Sequence, residues 1–333
     1  MAHLVVTGGA GFIGANFVQW MREQHPEREL VVVDALTYAG NLGNLAEVRE
    51  AVRFVKADIA DLAAMRPVLE GAAGVINFAA ESHVDRSLVS AGAFLHSNVA
   101  GVQVLLDLVR ELKVPRLLQI STDEVYGSAP AGIRFDEDAP FKPSSPYAAS
   151  KAAAELLVHA AVHTWGLPVV VTRACNNYGP YQFPEKLIPL MITNILERRP
   201  LPVYGDGLQR REWLHVRDHC EAVWAVWERG EEGRAYNIGT GEEVPNLELV
   251  HTLLRVLEGS EELITFVQDR PGHDRRYALD TTRTTTELGW RPAVGLEEGL
   301  RETVRWYREH TEWWETVKSG AYRDWYRRWY EGR

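Results

Sequence analysis

A glycine-rich turn between a predicted strand and a predicted helix limits most strongly what this chain can fold into. The apolar run His3–Thr7 predicts a buried strand, and residues 8–14 follow it with the sequence Gly-Gly-Ala-Gly-Phe-Ile-Gly before an amphipathic run. Glycines permit the tight turn and let backbone N–H groups and a helix N-terminus approach a pyrophosphate. The turn therefore predicts a βαβ unit that binds a dinucleotide. The expected contacts are Gly8, Gly11, Phe12, Ile13 and Gly14.

An acidic residue at the end of the next predicted strand indicates which dinucleotide binds. Asp34 closes the apolar run Leu30–Val33. Its carboxylate would accept a hydrogen bond from a ribose 2′-hydroxyl and would repel a 2′-phosphate, so we predict NAD rather than NADP. The alternative is a structural turn with a solvated Asp. The strand before, the helix after and the spacing to the acid favour the dinucleotide.

Strands and helices then alternate along the first half of the chain. Apolar segments near residues 53–57, 74–78, 116–120 and 167–173 predict strands, and residues 94–112 predict a helix. This alternation predicts an α/β fold with a doubly wound, Rossmann-type parallel sheet. After the sixth strand it becomes irregular, which predicts a smaller α/β substrate-binding domain. We expect residues 1–175 to form the NAD-binding domain, with some later segments returning to it, and residues 176–333 to form mainly the second domain.

The stretch from Ser121 to Lys151 carries the groups best suited to chemistry. Thr122, Asp123 and Glu124 follow a predicted buried strand, and this end of a parallel strand is where open α/β sheets bind ligands. Tyr147 and Lys151 are one helical turn apart, so they share a face, and the ammonium would favour the phenolate. Taken alone, the pair could be an exposed helix pair and Thr-Asp-Glu could be a helix cap.

Two adjacent carboxylates in a pocket with little water cannot easily both carry charge. We therefore expect Asp123 to act as an acid beside Glu124 as a base, provided that the chain leaves strand geometry at Thr122. For His83 and Asp85, which follow the fourth predicted strand, we expect a solvated or structural role.

Composition excludes several partners and compartments. A net charge of −10 over 333 residues argues against nucleic acid and against an anionic membrane surface. The two cysteines cannot form a disulfide framework, no signal peptide is recognisable, and no apolar run suggests a membrane span. These features predict a cytoplasmic protein. No metal site is expected.

Several motifs together resemble the extended short-chain dehydrogenase/reductase family. The glycine turn with Tyr-x-x-x-Lys has the pattern of that family, and Ser-Thr-Asp-Glu-Val-Tyr-Gly at residues 121–127 is similar to its nucleotide-sugar 4,6-dehydratases. Three further stretches, at residues 80–87, 176–189 and 269–274, strengthen the resemblance. One departure is Thr240, where this group often has Gly.

The resemblance implies the cofactor NAD, the substrate dTDP-glucose and a role in deoxysugar biosynthesis such as the dTDP-rhamnose pathway. It also implies a homodimer formed through helices near Phe94–Leu112 and Tyr147–Trp165. Beyond the glycine turn and Asp34, the implied NAD contacts are Thr37, Asp58, Ile59, Ala79, Ala80, Ser97, Tyr147, Lys151 and Asn177. The implied substrate contacts are Ser82, Thr122, Asn176, Lys186, Leu187, Pro202, Tyr204, Arg211, Asn246, Arg270, His273 and Tyr330.

The chemistry that the resemblance implies is an internal redox cycle. Tyr147 would take the proton of the C4 hydroxyl, Thr122 would steady O4, and Glu124 and Asp123 would eliminate water across C5 and C6. A 4-epimerase or decarboxylase on the same scaffold, or a non-catalytic NAD-binding protein, remains an alternative. An epimerase has no use for an adjacent acid and base, so the Asp123–Glu124 pair favours the dehydratase.

Overall fold

A parallel sheet forms the centre of the computed structural model, which describes residues 2–318. Its seven strands lie in the order β10-β6-β5-β4-β1-β2-β3, and β1 lies between β2 and β4, where the order reverses. The predicted doubly wound α/β sheet is therefore confirmed. The strands of the described residues are β1 (Leu4–Thr7), β2 (Leu30–Asp34), β3 (Arg53–Lys56), β4 (Gly74–Asn77), β5 (Leu117–Thr122), β6 (Val169–Ala174), β7 (Asn176–Tyr178), β8 (Leu201–Tyr204), β9 (Arg210–His215), β10 (Ala235–Ile238), β11 (Glu243–Pro245) and β12 (Ile264–Val267).

Helices cover both faces of this sheet because neighbouring residues of a strand point to opposite sides. Val6 and Val32 pack in one hydrophobic cluster with residues of α1 and α8. Val5 and Val31 pack in a second cluster with residues of α2, α5 and α6. The helices are α1 (Phe12–Gln24), α2 (Leu62–Leu69), α3 (Val84–Val89), α4 (Gly92–Phe94), α5 (Gly101–Leu112), α6 (Pro146–Trp165), α7 (Leu187–Leu196), α8 (Val216–Arg229), α9 (Asn246–Leu257), α10 (Thr282–Leu288), α11 (Leu296–Glu309) and α12 (Thr311–Val317).

A second hydrophobic core lies beyond β6. Two small sheets, β11-β9-β7 and β12-β8, share it with α7, α9, α11 and α12. The chain does not stay in this part, because β10 pairs with β6 in the main sheet and α8 packs against α1. The segments α8 and β10 therefore belong to the packing of the main sheet.

The helix predicted over residues 94–112 is divided. A π-helical segment, Leu95–Ala100, joins α4 to α5. The whole span, Gly92–Leu112, is long and apolar enough to cross a membrane by length and composition, so the expectation that no run approaches a span was wrong. Inside the fold, α5 packs against α2 and α6, and 44% of the most apolar stretch of this span is buried.

Candidate active site

The glycine turn after β1 forms one wall of a cleft at the carboxyl ends of the strands. Gly8 has φ +65°, and a Cβ on it would lie 2.6 Å from the backbone nitrogen of Ala79. A Cβ on Gly14 would overlap the carbonyl oxygen of Gly8. Because α1 begins at Phe12 with no side chain capping it, its first N–H groups are free to meet an anion. These features fit a dinucleotide pyrophosphate.

Asp34 connects the end of β2 to this turn. Its Oδ2 accepts a hydrogen bond from the N–H of Ala10 at 2.9 Å, and its Oδ1 accepts one from Leu36 at 2.8 Å. The side chain is buried, so the alternative of a solvated Asp is wrong. Burial raises its pKa above the ordinary value, although the backbone donors oppose this. A carboxylate has about four acceptor sites, which leaves room for ribose hydroxyls.

Nearly all of the residues expected to contact NAD line this cleft. They are Gly8, Gly11, Phe12, Ile13, Gly14, Asp34, Thr37, Asp58, Ile59, Ala79, Ala80, Ser97, Tyr147 and Lys151. Asn177 is different, because it lines the neighbouring cavity, next to Asn176. Its amide nitrogen donates to the carbonyl of Cys175 at 2.9 Å.

The chain leaves strand geometry at Thr122, as the predicted acid–base pair requires. A turn of 3₁₀ helix, Asp123–Tyr126, follows β5 directly, and the Thr122 hydroxyl caps it by accepting the N–H of Glu124 at 3.3 Å. Gly127 ends the turn at φ +73°, where a side chain would meet the carbonyl of Lys142. The two carboxylates therefore lie on a tight turn instead of on opposite faces of a strand.

The two carboxyl groups differ in their surroundings. Burial, and then the neighbouring Glu124, raise the pKa of Asp123 well above its ordinary value, and its Oδ2 is buried without a hydrogen-bond partner. Burial also raises the pKa of Glu124, but the cations Arg270, Lys186 and Arg211 oppose this. Asp123 therefore has the stronger tendency to hold a proton, and Glu124 has the weaker one. The roles of acid and base stay a prediction that this difference favours.

Tyr147 and Lys151 lie at the start of α6, whose first turn is capped by Ser145. Burial raises the pKa of the Tyr147 phenol well above its ordinary value, the charges of Glu124 and Asp123 add to this, and a hydrogen bond with Thr122 opposes it. The predicted lowering by Lys151 is not found. The Lys151 ammonium donates to the carbonyl of Ile120 at 2.7 Å, and burial lowers its pKa to about 8.

A second cavity adjoins the cofactor cleft, and Glu124 lines it. Three buried or partly buried cations reach it, and burial lowers the pKa of both Lys186 and Arg211. Arg270 is paired with Asp85 at 3.2 Å. The expected substrate contacts that line this cavity are Asn176, Lys186, Leu187, Pro202, Tyr204, Arg211, Asn246, Arg270 and His273.

Two expected substrate contacts are placed elsewhere, and a third is not among the described residues. Ser82 lines the cofactor cleft, although its carbonyl accepts the ammonium of Lys186. Thr122 lines neither cavity and is buried between Asp123 and Tyr147. Tyr330 lies outside the described residues. Among residues 2–318, no group of three or more His, Cys, Asp or Glu residues is placed to hold a metal ion.

Sequence reasoning missed several residues of the cavity wall. Asp85 is buried and accepts hydrogen bonds from Tyr204 at 2.9 Å and from Arg270, so the expected solvated role was wrong and the structural role is what the contacts show. His83 is also buried, with its ring 3.3 Å from the carbonyl of Glu185. These partners are far apart in the sequence. The only sign that they belong to the site was that the segments containing them resemble those of the dehydratase group.

Comparisons with known proteins agree with this geometry. Residues 5–303 match the family described as GDP-mannose 4,6 dehydratase. A dTDP-glucose 4,6-dehydratase from Streptomyces niveus is 49% identical over 95% of this chain and 96% of its own length. The chain belongs to this dehydratase family. Within the extended short-chain dehydrogenases/reductases, the predicted membership of the nucleotide-sugar dehydratase group is therefore confirmed.

Solved structures of the family and of a related enzyme show the same fold. A dTDP-glucose 4,6-dehydratase from Streptomyces venezuelae, with NAD and TYD bound, has a TM-score of 0.92 at 49% identity and covers 95% of this chain and 100% of its own. A UDP-glucose 4-epimerase from Thermus thermophilus, in complex with NAD, has a TM-score of 0.86 at 31% identity and covers 92% and 99%. The scaffold is thus common to dehydratases and epimerases, and the site has to distinguish them.

Proposed function

We propose that this chain uses bound NAD to remove water from dTDP-glucose, giving dTDP-4-keto-6-deoxyglucose, as a step of deoxysugar biosynthesis. The observation that carries the proposal is the 3₁₀ turn that brings Asp123 and Glu124 beside Tyr147 with different tendencies to hold a proton. The names of the relatives favour the dehydratase over a 4-epimerase, a decarboxylase or a non-catalytic NAD-binding protein. They also favour dTDP-glucose over GDP-mannose, because every one of the first relatives is named for dTDP-glucose.

The second cavity has the chemistry to bind a sugar nucleotide. Lys186, Arg211 and Arg270 supply positive charge for a diphosphate, and the two guanidinium groups can donate in pairs. Tyr204 and His273 pack edge to face on the same wall, with ring centroids 5.9 Å apart, and offer apolar surface to a nucleoside. We assign the nucleotide to this cavity and the glucose to its junction with the cofactor cleft, where Glu124 and Tyr147 meet.

The residues of the junction then divide the chemistry. Tyr147 removes the proton of the sugar C4 hydroxyl, and Thr122, which is hydrogen-bonded to the phenol, steadies that oxygen. Oxidation at C4 makes the C5 proton acidic. Glu124 takes that proton, Asp123 gives its own to the C6 hydroxyl, and water departs. Bound NAD would supply the hydride acceptor at C4, the donor at C6 and a positive charge near the phenol.

Transfer of hydrogen within one sugar is the most direct test. With deuterium at C4 of dTDP-glucose, we expect the label at C6 of the product and none exchanged with water, because the same dinucleotide takes and returns it. Mass spectrometry of the product, run in ordinary water, measures this. A matched reaction in deuterated water should place one deuteron at C5, where Glu124 exchanges protons. Product without label at C6 would contradict the cycle.

We further propose that two copies pair through the helical span Phe94–Leu112 and α6. Leu95 in the span and Leu156 and Trp165 in α6 are about half or more exposed, at 56%, 60% and 49%, and the two helices pack on each other. Exposed large apolar side chains on packed helices favour an interface. Sedimentation velocity should show a dimer that Leu156→Glu turns into a monomer, whereas Ile133→Glu, at an equally exposed residue away from these helices, should leave it a dimer. A Leu156→Glu protein that stays dimeric would rule out this face.

The domain division and the compartment follow from the same features. We propose that residues 1–175, with α8, β10 and α10, form the NAD-binding domain and that the remaining described residues after 175 form the nucleotide-binding domain. Cys175 and Cys220 are both buried as free thiols, which favours a reducing compartment and supports a cytoplasmic location.

A further inference from the structure

A network of four residues lies at the wall of the cofactor cleft, and three of them line it. The guanidinium of Arg86 lies 3.9 Å from the ring centroid of Tyr38 and donates through Nε to Oε2 of Glu185 at 2.9 Å. The ring of Tyr38 meets that of Phe183 edge to face, with centroids 5.5 Å apart. We call Tyr38, Arg86, Phe183 and Glu185 the clamp.

The clamp joins separate parts of the chain across the two domains. Tyr38 belongs to the loop after β2, and Arg86 belongs to α3, so both lie in the NAD-binding domain. Phe183 and Glu185 lie between β7 and α7, on the side of the second core. The carbonyl of Glu185 is also in contact with the His83 ring. The Arg86–Glu185 contact therefore bridges the two proposed domains.

The clamp faces the cofactor cleft directly. Tyr38, Phe183 and Glu185 line it together with the glycine turn. Glu185 also lines the second cavity, beside Lys186, so this short segment lies between the two cavities. The Arg86–Glu185 pair ties this segment to α3 at the wall of the cleft.

Charge explains why an Arg is needed in this wall. The side chain of Glu185 is only 2% exposed, and its charge contributes to raising the pKa of nearby Glu81, whose burial is the larger cause. Two carboxylates near a pyrophosphate would repel it in a buried site. Arg86 neutralises Glu185 and covers Tyr38 with its flat guanidinium, which a Lys could not do as well. The closed wall is thus compatible with an anionic ligand.

We propose that Arg86 and Glu185, supported by Tyr38 and Phe183, act as an interdomain clamp that retains the dinucleotide through the whole reaction. The inference rests on the proposed function, because a hydride that leaves C4 and returns at C6 requires the same dinucleotide to stay bound between the two steps. The clamp residues are positioning residues. They act on how long NAD stays and not on proton transfer at the sugar.

The test measures the release of NAD. Protein that carries unlabelled NAD is mixed with an excess of isotopically labelled NAD, and the label retained after rapid gel filtration gives the exchange rate.

Glu185→Gln should speed exchange at least tenfold. Removing one partner of the pair can leave a buried charge, so the double variant Arg86→Met with Glu185→Gln removes both charges. It should exchange NAD as fast as the single variant, because the two residues act as one unit. Arg66→Met is the matched control. It breaks an exposed Arg–Glu pair with Glu111 far from the cleft and should exchange as the unaltered protein does.

The outcomes separate the clamp from the function on which it rests. If the unaltered protein neither holds NAD nor converts dTDP-glucose, the proposed function is wrong. If it does both, and folded Glu185→Gln and double variants exchange NAD within twofold of the Arg66→Met control, the clamp alone is wrong. A double variant that fails to fold is replaced by Tyr38→Leu, for which the same tenfold acceleration is expected because the Arg86 guanidinium loses the ring on which it rests.

Discussion

Changing Asp123 to Asn and Glu124 to Gln together should stop the loss of water while C4 oxidation continues. The two amides keep the size of the carboxyl groups, but neither can take the C5 proton or donate one to the C6 hydroxyl as an acid does. General acids and bases contribute roughly 10²- to 10⁴-fold each, and groups that act as a unit are not additive, so we expect elimination to fall by about 10³-fold or more. Absorbance of the reduced cofactor after rapid mixing measures oxidation, and mass spectrometry of the nucleotide measures the loss of water.

The expected result depends on where the two side chains lie. In the proposed mechanism Thr122 and Tyr147 act at O4, whereas Asp123 and Glu124 act at C5 and C6, so the first step does not need the carboxyl groups. Asp138→Asn is a suitable control, because that side chain is 82% exposed and remote from the turn. A loss of oxidation in the double variant as large as that in Tyr147→Phe, in protein that still holds NAD, would contradict the division of labour.

Local patterns were sufficient to predict the scaffold, and most of the expected cofactor contacts line one cleft. The glycine turn and Asp34 act through backbone geometry over a few dozen residues. The order of strand, turn and helix in the sequence is enough to predict that geometry. The departure from strand geometry at Thr122 was required by the chemistry, and the structure supplies its cause in the Thr122 cap and in Gly127. These are short-range effects.

Pairing between distant segments could not be predicted in this way. Asp85 and Arg270 are 185 positions apart, and nothing in either segment alone shows that α3 meets the loop after β12. Asn177 was expected at the cofactor from its place in a motif, but it lines the second cavity. The motif alone did not predict its hydrogen bond to the carbonyl of Cys175. The clamp residues were missed since Arg86 and Glu185 each look like ordinary surface charges in the sequence.

At Tyr147, the effect of burial on the pKa of the phenol outweighs that of Lys151, although helical spacing correctly predicted that this lysine lies one turn away. Lys151 lies one turn away, as predicted, yet its ammonium donates to the carbonyl of Ile120. Burial raises the pKa of Tyr147 and lowers that of Lys151, so both groups are pushed toward their neutral forms. Proton removal at C4 therefore needs additional positive charge at the junction, and it needs Lys151 to remain protonated.

Tyr147→Phe should accordingly lower the rate of C4 oxidation by about 10³-fold, within the range for loss of a general base. Phe fills the same space beside Phe94, where the rings lie 6.3 Å apart, so NAD binding and the melting temperature should change little. Single-turnover absorbance of the reduced cofactor measures the step. A loss smaller than tenfold would mean that another group takes the C4 proton.

The dependence on pH distinguishes the roles of the two residues. In the unaltered protein the rate should rise with pH as the phenol loses its proton and should level off above about pH 8, because Lys151 is protonated below its pKa of about 8 and neutral above it, so that the loss of ammonium offsets the gain in phenolate. Lys151→Met should be slower below pH 8 and should keep rising above it, whereas Lys56→Met, at an exposed lysine at the end of β3, should level off as the unaltered protein does. If Lys151→Met also levels off near pH 8, the group that titrates there is not this lysine.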